Sequence, residues 1–296
     1  MPSPQHEAVV SALRAAPIVG SPSLADQRAN YEATLAANPL PADARIQSVL
    51  IGSNVADIVT INGMEPRATI LYLHGGGYVI GSNTGYREFA SRLARAANAR
   101  VCVLNYRLAP EHPFPAALDD AVAAWRWLRN QNIPTGELIV AGDSAGGGLT
   151  LATLMALRAA GDDLPAGAVC FSPWTDLAGT GSTLAPGAIE DPLVGVEAIR
   201  VMAAQYAGSD TRNPLVSPLY GDYRGLPPLL IQVGTREVLL DDSRRAAAKA
   251  RSAGVKLDYF EGEGLIHVWP VIAVTAPESA VALKGVGEFV RRCTGS

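Results

Sequence analysis

Three side chains of this 296-residue sequence are of the types that acyl transfer needs. They are the hydroxyl of Ser144, the carboxylate of Glu237 and the imidazole of His267. Ser144 lies in AGDSAGGGLT, where glycines and alanines crowd around a single hydroxyl. The local pattern Gly142-Asp143-Ser144-Ala145-Gly146 is G-x-S-x-G. It follows an apolar run, ELIVAG, and precedes a helical one, GGGLTLATLMALRAAG. A serine on a sharp strand-to-helix turn needs small residues two positions to either side, because larger ones would collide. The motif alone is a weak signal, and its strand-before, helix-after context strengthens it. The competing reading is a nucleotide-binding glycine loop. That loop requires G-x-G-x-x-G near a first βα unit, or a Gly-Lys-Ser/Thr ending, and this stretch has neither.

A serine nucleophile needs a base, and histidine is the usual one. The chain has four. His6 belongs to a predicted N-terminal helix, His74 opens HGGG, and His112 is bracketed by prolines in PEHPFP. His267 follows the last predicted strand, VKLDYF, and is the only histidine downstream of Ser144. A nucleophile elbow of this kind takes its partners in the order serine, acid, histidine. The acid therefore belongs to PLLIQVGTREVLLDDS, which offers Glu237, Asp241 and Asp242. Glu237 stands a few residues past a strand, within reach of an imidazole. Asp241 and Asp242 open a helix, where carboxylates commonly cap free N–H groups. Asp191, inside a long excursion, is the poorer candidate. In YLHGGGYVIGS three glycines follow a strand, so backbone N–H groups there can approach a substrate oxygen. An ordinary turn would need only one glycine.

The elements that must position these groups alternate along the chain. RIQSVLIG and VADIVTI read as an antiparallel pair. ATILYL, RVCVLNY, ELIVAG, GAVCFS, PLLIQVG and VKLDYF read as strands apolar on both faces, and amphipathic helical patterns separate them. Such alternation implies a parallel sheet covered on both sides by helices. HEAVVSALRAA and LADQRANYEATLAAN predict two N-terminal helices punctuated by Pro17, Pro22, Pro39 and Pro41. Residues 178–225 separate two strands by more than one crossover helix requires, as a functional excursion or subdomain does.

Composition narrows the partners. Hydrophobic residues make up 48% of the chain, enough for a sizeable core. The net charge of −4, with no Lys/Arg run, argues against nucleic acid or an anionic membrane as partner. Three cysteines without a C-x-x-C pair argue against a zinc site or a disulfide framework. MPSPQHEAVV lacks the basic and apolar regions of a secretory signal, so a cytoplasmic protein is the default expectation.

Taken together, HGGGYVIGS, NYRLAPEHPFPAALDDA, VAGDSAGGGL, FSPWTDL, QVGTREVLLDDS and EGLIHVWP resemble the bacterial hormone-sensitive-lipase family of carboxylesterases, family IV in its GDSAG-type branch. The resemblance runs from about residue 66 to the C-terminus, with each motif in family order. It implies an α/β-hydrolase fold, a mostly parallel eight-stranded sheet with a helical cap. Residues 1–45 and 178–225 would form the cap, and residues 46–177 and 226–296 the catalytic core. It implies Ser144 as nucleophile, His267 as base, Glu237 as acid, and Gly76, Gly77 and Ala145 as oxyanion N–H donors. The family's acid motif is most often Asp-Pro-Leu-x-x-Asp; here Glu237-Val238-Leu239-Leu240-Asp241 stands in its place. His74 would organise the glycine loop, and NYRLAPEHPFPAALDDA would tie loops near the site. The resemblance implies hydrolysis of short-chain acyl esters, a small-molecule ester as partner, no cofactor or metal, and by analogy a homodimer. Two rivals remain at this stage: a small-molecule receptor of the same fold, and an amidase or lactone hydrolase with the same triad.

Overall fold

The computed structural model describes residues 1–15 and 23–295, so Pro17 and Pro22 lie outside the described residues. Helices α1 (Pro4–Ala15) and α2 (Leu24–Ala36) come first. Ser23 and Asp26 close a reciprocal capping box at the start of α2, satisfying helix N–H groups that lack partners in the first turn. The hairpin β1 (Ala44–Ile51) and β2 (Asn54–Ile61) follows, then β3 (Ala68–Leu73), α3 (Arg87–Ala97), β4 (Ala99–Leu104) and α4 (Ala116–Asn130). The chain continues through β5 (Leu138–Asp143), α5 (Ala145–Ala160), β6 (Gly167–Phe171), α6 (Val196–Ala207), β7 (Leu229–Arg236) and α7 (Leu240–Ser252). It closes with β8 (Leu257–Ile266), α8 (Trp269–Ile272) and α9 (Pro277–Thr294).

The eight strands form one sheet in the order β1-β2-β4-β3-β5-β6-β7-β8. Strand β2 runs antiparallel to both β1 and β4, and the remaining neighbours are parallel. This is the α/β-hydrolase fold expected from the sequence. Every residue of β3, β5 and β6 is buried, which is why these strands read as unbroken apolar runs. Alternate side chains feed opposite layers. Ile70, Tyr72, Ile139 and Ala141 pack under α3 and α9 with Phe89, Leu93, Val286 and Phe289. Leu71, Leu73 and Val140 pack under α4 and α5 with Trp125, Leu149 and Ala152.

Two strands run further than their apolar patterns. The β7–β8 ladder passes Gly234 opposite Gly262, slips, and resumes with Arg236 opposite Ile266. The segment EGEG, which reads as a turn by composition, is thus strand, and Glu237 and His267 each directly follow the last residue of a strand. The long excursion divides in two. Helix α6 lies over the carboxyl edge of the sheet, whereas Tyr223 and Leu226 pack with Leu151 and Leu154 of α5 and Ala246 and Ala247 of α7. Asp241 and Asp242 correct the capping expectation. Residue Leu239 is the N-cap of α7, and no side chain bonds there. Asp241 instead accepts from the Ser182 N–H at 2.9 Å. Asp242 accepts from Thr175 and Asp176 N–H groups at 2.8 Å each. Asp241 thereby anchors the excursion to the core, and Asp242 the segment that leads into it.

Candidate active site

His74, Ser144, Ser172, Glu237 and His267 each follow the carboxyl end of a parallel strand, β3, β5, β6, β7 and β8 in turn. Open α/β sheets hold their ligands along this edge. Ser144 has φ +52° and ψ −119°, a conformation that costs a non-glycine residue roughly 1–3 kcal/mol. The surroundings hold it there: its N–H donates to Phe171 O at 2.8 Å and its carbonyl accepts from the Trp174 N–H at 2.9 Å. The flanking glycines have a steric cause. A Cβ on Gly146 would strike the Leu73 and His74 carbonyls, and one on Gly142 would strike Gly146 and Leu73. The elbow therefore sits flush against the end of β3, with the first turn of α5 beneath Ser144.

The HGGG loop is held from behind by the elbow's own aspartate. Asp143 is fully buried and accepts from Tyr72 Oη at 2.7 Å, Tyr86 Oη at 2.8 Å and the Gly75 N–H at 2.9 Å. Burial pushes its carboxyl up to about 6, against the opposing pull of these donors and of His267. Tyr31 of α2 extends the chain outward, its hydroxyl 2.8 Å from that of Tyr86. Gly76 and Gly77 both take positive φ, +111° and +63°. His74 turns away from the cavity: Nδ1 donates to Gly75 O at 2.8 Å, and the ring stacks on Tyr106 at 4.2 Å. Burial lowers its pKa to about 4, so it stays a neutral structural donor at neutral pH.

Glu237 and His267 meet. The imidazole Nδ1 donates to Glu237 Oε1 at 3.0 Å, and both side chains are buried. The other carboxylate oxygen accepts from Ser172 Oγ at 2.7 Å and from the Gly234 N–H at 2.9 Å. Ser172 Oγ also accepts from the Val268 N–H at 3.1 Å, so one hydroxyl ties the acid to the backbone beside the histidine. Burial alone would lower the pKa of His267. The Glu237 carboxylate outweighs it, with help from Asp191 and Asp143, and the net shift is upward. Asp191 itself accepts from the Val238, Leu193 and Val194 N–H groups, bridging the excursion to the loop after β7.

Ser144, His267, Gly76 and Gly77 line one cavity of about 170 Å³, closed further by Tyr31, Trp174, Ile199 and Met202. The predicted site residues are thus brought together, with Ala145 as the first residue of α5. Ser172, Tyr72 and Tyr86 are the site residues that sequence reasoning missed, and Asp191, the poorer acid candidate, holds the loop after β7 rather than the imidazole. The motif FSPWTDL contains Ser172. His6, in the N-terminal helix, also supports the site: its Nε2 accepts from the Ile266 N–H at 3.3 Å, one residue before His267.

Comparisons with known proteins match this architecture. A family described as alpha/beta hydrolase fold matches residues 70–271. An acetyl-hydrolase of Streptomyces hygroscopicus is 49% identical over 248 residues, covering 83% of each chain. A crystal structure of an esterase from the bacterial hormone-sensitive lipase family superimposes with a TM-score of 0.95 at 42% identity, covering 99% of both chains. The chain belongs to the hormone-sensitive-lipase-like esterases of the α/β-hydrolase fold. As such it is a carboxylic ester hydrolase. The esterase is also 36% identical to an esterase of Acinetobacter venetianus over 74% of its own length and 73% of the relative's. A further structural relative, EstE5 soaked with p-nitrophenyl butyrate, has a TM-score of 0.93 at 40% identity, covering 99% of the esterase and all of that chain.

Proposed function

We propose that the esterase cleaves short-chain acyl esters through an acyl-enzyme on Ser144, with His267 as base and Glu237 as its acid partner. The observation that carries this reading is the convergence of the Glu237–His267 hydrogen bond, the strained Ser144 and the glycine loop on one cavity. Because Nδ1 of His267 is engaged by Glu237, the neutral ring carries its proton there and leaves Nε2 as the base. Ser144 Oγ attacks the ester carbonyl as Nε2 takes its proton. The N–H groups of Gly76, Gly77 and Ala145 stabilise the developing oxyanion. The imidazolium then protonates the leaving alcohol, and water activated by the same nitrogen releases the acid.

Residues 23–36 and α6 serve as the cap in this account, since Tyr31, Ile199 and Met202 form the outer wall of the cavity. Arg28 supports that role. Its guanidinium donates to Val79 O at 2.9 Å and Ala109 O at 3.1 Å and forks onto Glu111, binding α2 to the loops behind HGGG. The modest cavity and the butyrate ester soaked into EstE5 support a preference for short acyl groups. A panel of p-nitrophenyl esters from acetate to palmitate, with matched anilides and lactones, tests it. The expected optimum lies at or near butyrate. Faster turnover of anilides, or an optimum at palmitate, would contradict the proposal.

A further inference from the structure

Helix α6 separates two cavities rather than roofing one. On one flank, Ala198 and Met202 face the candidate active site of about 170 Å³. On the other, Val196, Arg200, Ala203 and Ala204 face a second cavity of about 290 Å³, whose far wall includes the buried Leu177 and Leu184. At 3.6 residues per turn, Ala198 and Met202 share one side of the helix, and Val196, Ala203 and Ala204 the other. Ile199 falls between these sides, on the line that points into the protein with Ala203 and Tyr206. Among the described residues it is the one that lines both cavities, and it is 6% exposed.

His267 must stand beside the leaving alcohol to protonate it. Met202 sits against Gly77, where a Cβ would strike its Sδ, so α6 abuts the oxyanion loop. Trp174, Ile199 and Met202 line the Ser144 cavity beside that loop. The second cavity is walled mainly by apolar side chains, with Arg200 and Thr211 as its polar members.

We propose that Ile199 is the chain-length determinant of this esterase: its side chain ends the acyl pocket, and a latent apolar extension lies directly behind it. This rests on the serine-esterase reading above. Methylenes excluded by Ile199 gain no wall contacts, and each one admitted to an apolar pocket is worth about tenfold in selectivity.

The test is the ratio of kcat/KM for p-nitrophenyl octanoate over butyrate, in wild type, Ile199→Val and Ile199→Ala. A ratio within one preparation is insensitive to the fraction folded. The expected result is a graded rise, about tenfold or more for Ile199→Ala. Alkyl butyrates from methyl to octyl should show no such change. Val201→Ala, on the exposed face of α6, should leave both series as in wild type. An unchanged ratio in an active Ile199→Ala enzyme would overturn the proposal. So would a change confined to the alcohol series. Wild type inert toward butyrate would instead sink the ester reading itself.

Discussion

Oε1 of Glu237 lies 3.0 Å from Nδ1 of His267, while its Oε2 is held by Ser172 and Gly234. Both oxygens are committed, so the carboxylate has one orientation. Glu237→Gln puts an amide where charge is needed and favours the wrong histidine tautomer. Turnover should fall by about 10³–10⁴-fold. Asp241→Asn should cost less than about tenfold, because Asp241 bonds Ser182 and Arg245 rather than the imidazole. Steady-state kinetics and thermal melts on both variants check this. A silent Asp241→Asn beside an active Glu237→Gln would reverse the assignment.

The pH profile follows from the same pair. Only neutral imidazole accepts the serine proton, so kcat/KM should rise with pH. Because the pKa of His267 is raised above 6.5, the midpoint should lie above that value. The Asp191 charge contributes to the upward shift. Asp191→Asn should therefore move the midpoint to lower pH while the plateau is largely kept. A midpoint that moves up, or a flat profile in a folded enzyme, would contradict this.

The network behind the glycine loop predicts a loss in kcat rather than KM. Tyr86→Phe removes one donor to Asp143 and the hydroxyl that accepts from the Gly75 N–H at 3.1 Å. A hydrogen bond of this kind is worth about 1 kcal/mol, so kcat should fall about fivefold or more with KM nearly unchanged. Tyr31→Phe, one link further out, should have a smaller effect of the same kind. Unchanged kcat in Tyr86→Phe would show that the loop is positioned without it.

How far the sequence revealed these groups depended on whether their signal was local. The elbow was legible because its glycines, strand and helix are contiguous around Ser144. His267 was legible because it is the only histidine downstream, although EGEG hid the strand that delivers it. Ser172 could not be read: its two partners, Glu237 and Val268, lie 65 and 96 residues away. Asp143 read as part of a motif, with no sign that it buttresses Gly75, 68 residues earlier. Asp241 and Asp242 misled because a carboxylate at a helix start has a common local role, and here distant backbone N–H groups claim it.

The N-terminal helices should prove to have different roles. In α1, Val10 packs against Leu265, Ile266 and Trp269, and His6 supports the residue before His267. In α2, Tyr31 walls the cavity. His6→Ala leaves the buried Ile266 N–H without its acceptor and should lower stability by about 1–3 kcal/mol. Deleting residues 1–40 should lower both stability and activity and alter acyl preference. Thermal melts and the ester panel read both effects. A truncated enzyme with wild-type stability and preference would contradict these roles.

The central claim is that Ser144 carries the acyl group. Intact mass and peptide mapping after reaction with a fluorophosphonate test it most directly. The account predicts one adduct, on Ser144, with ester turnover lost in step with labelling, and neither labelling nor turnover above background in a folded Ser144→Ala variant. An adduct on another residue that tracks the loss of activity, or sustained turnover by Ser144→Ala, would contradict it.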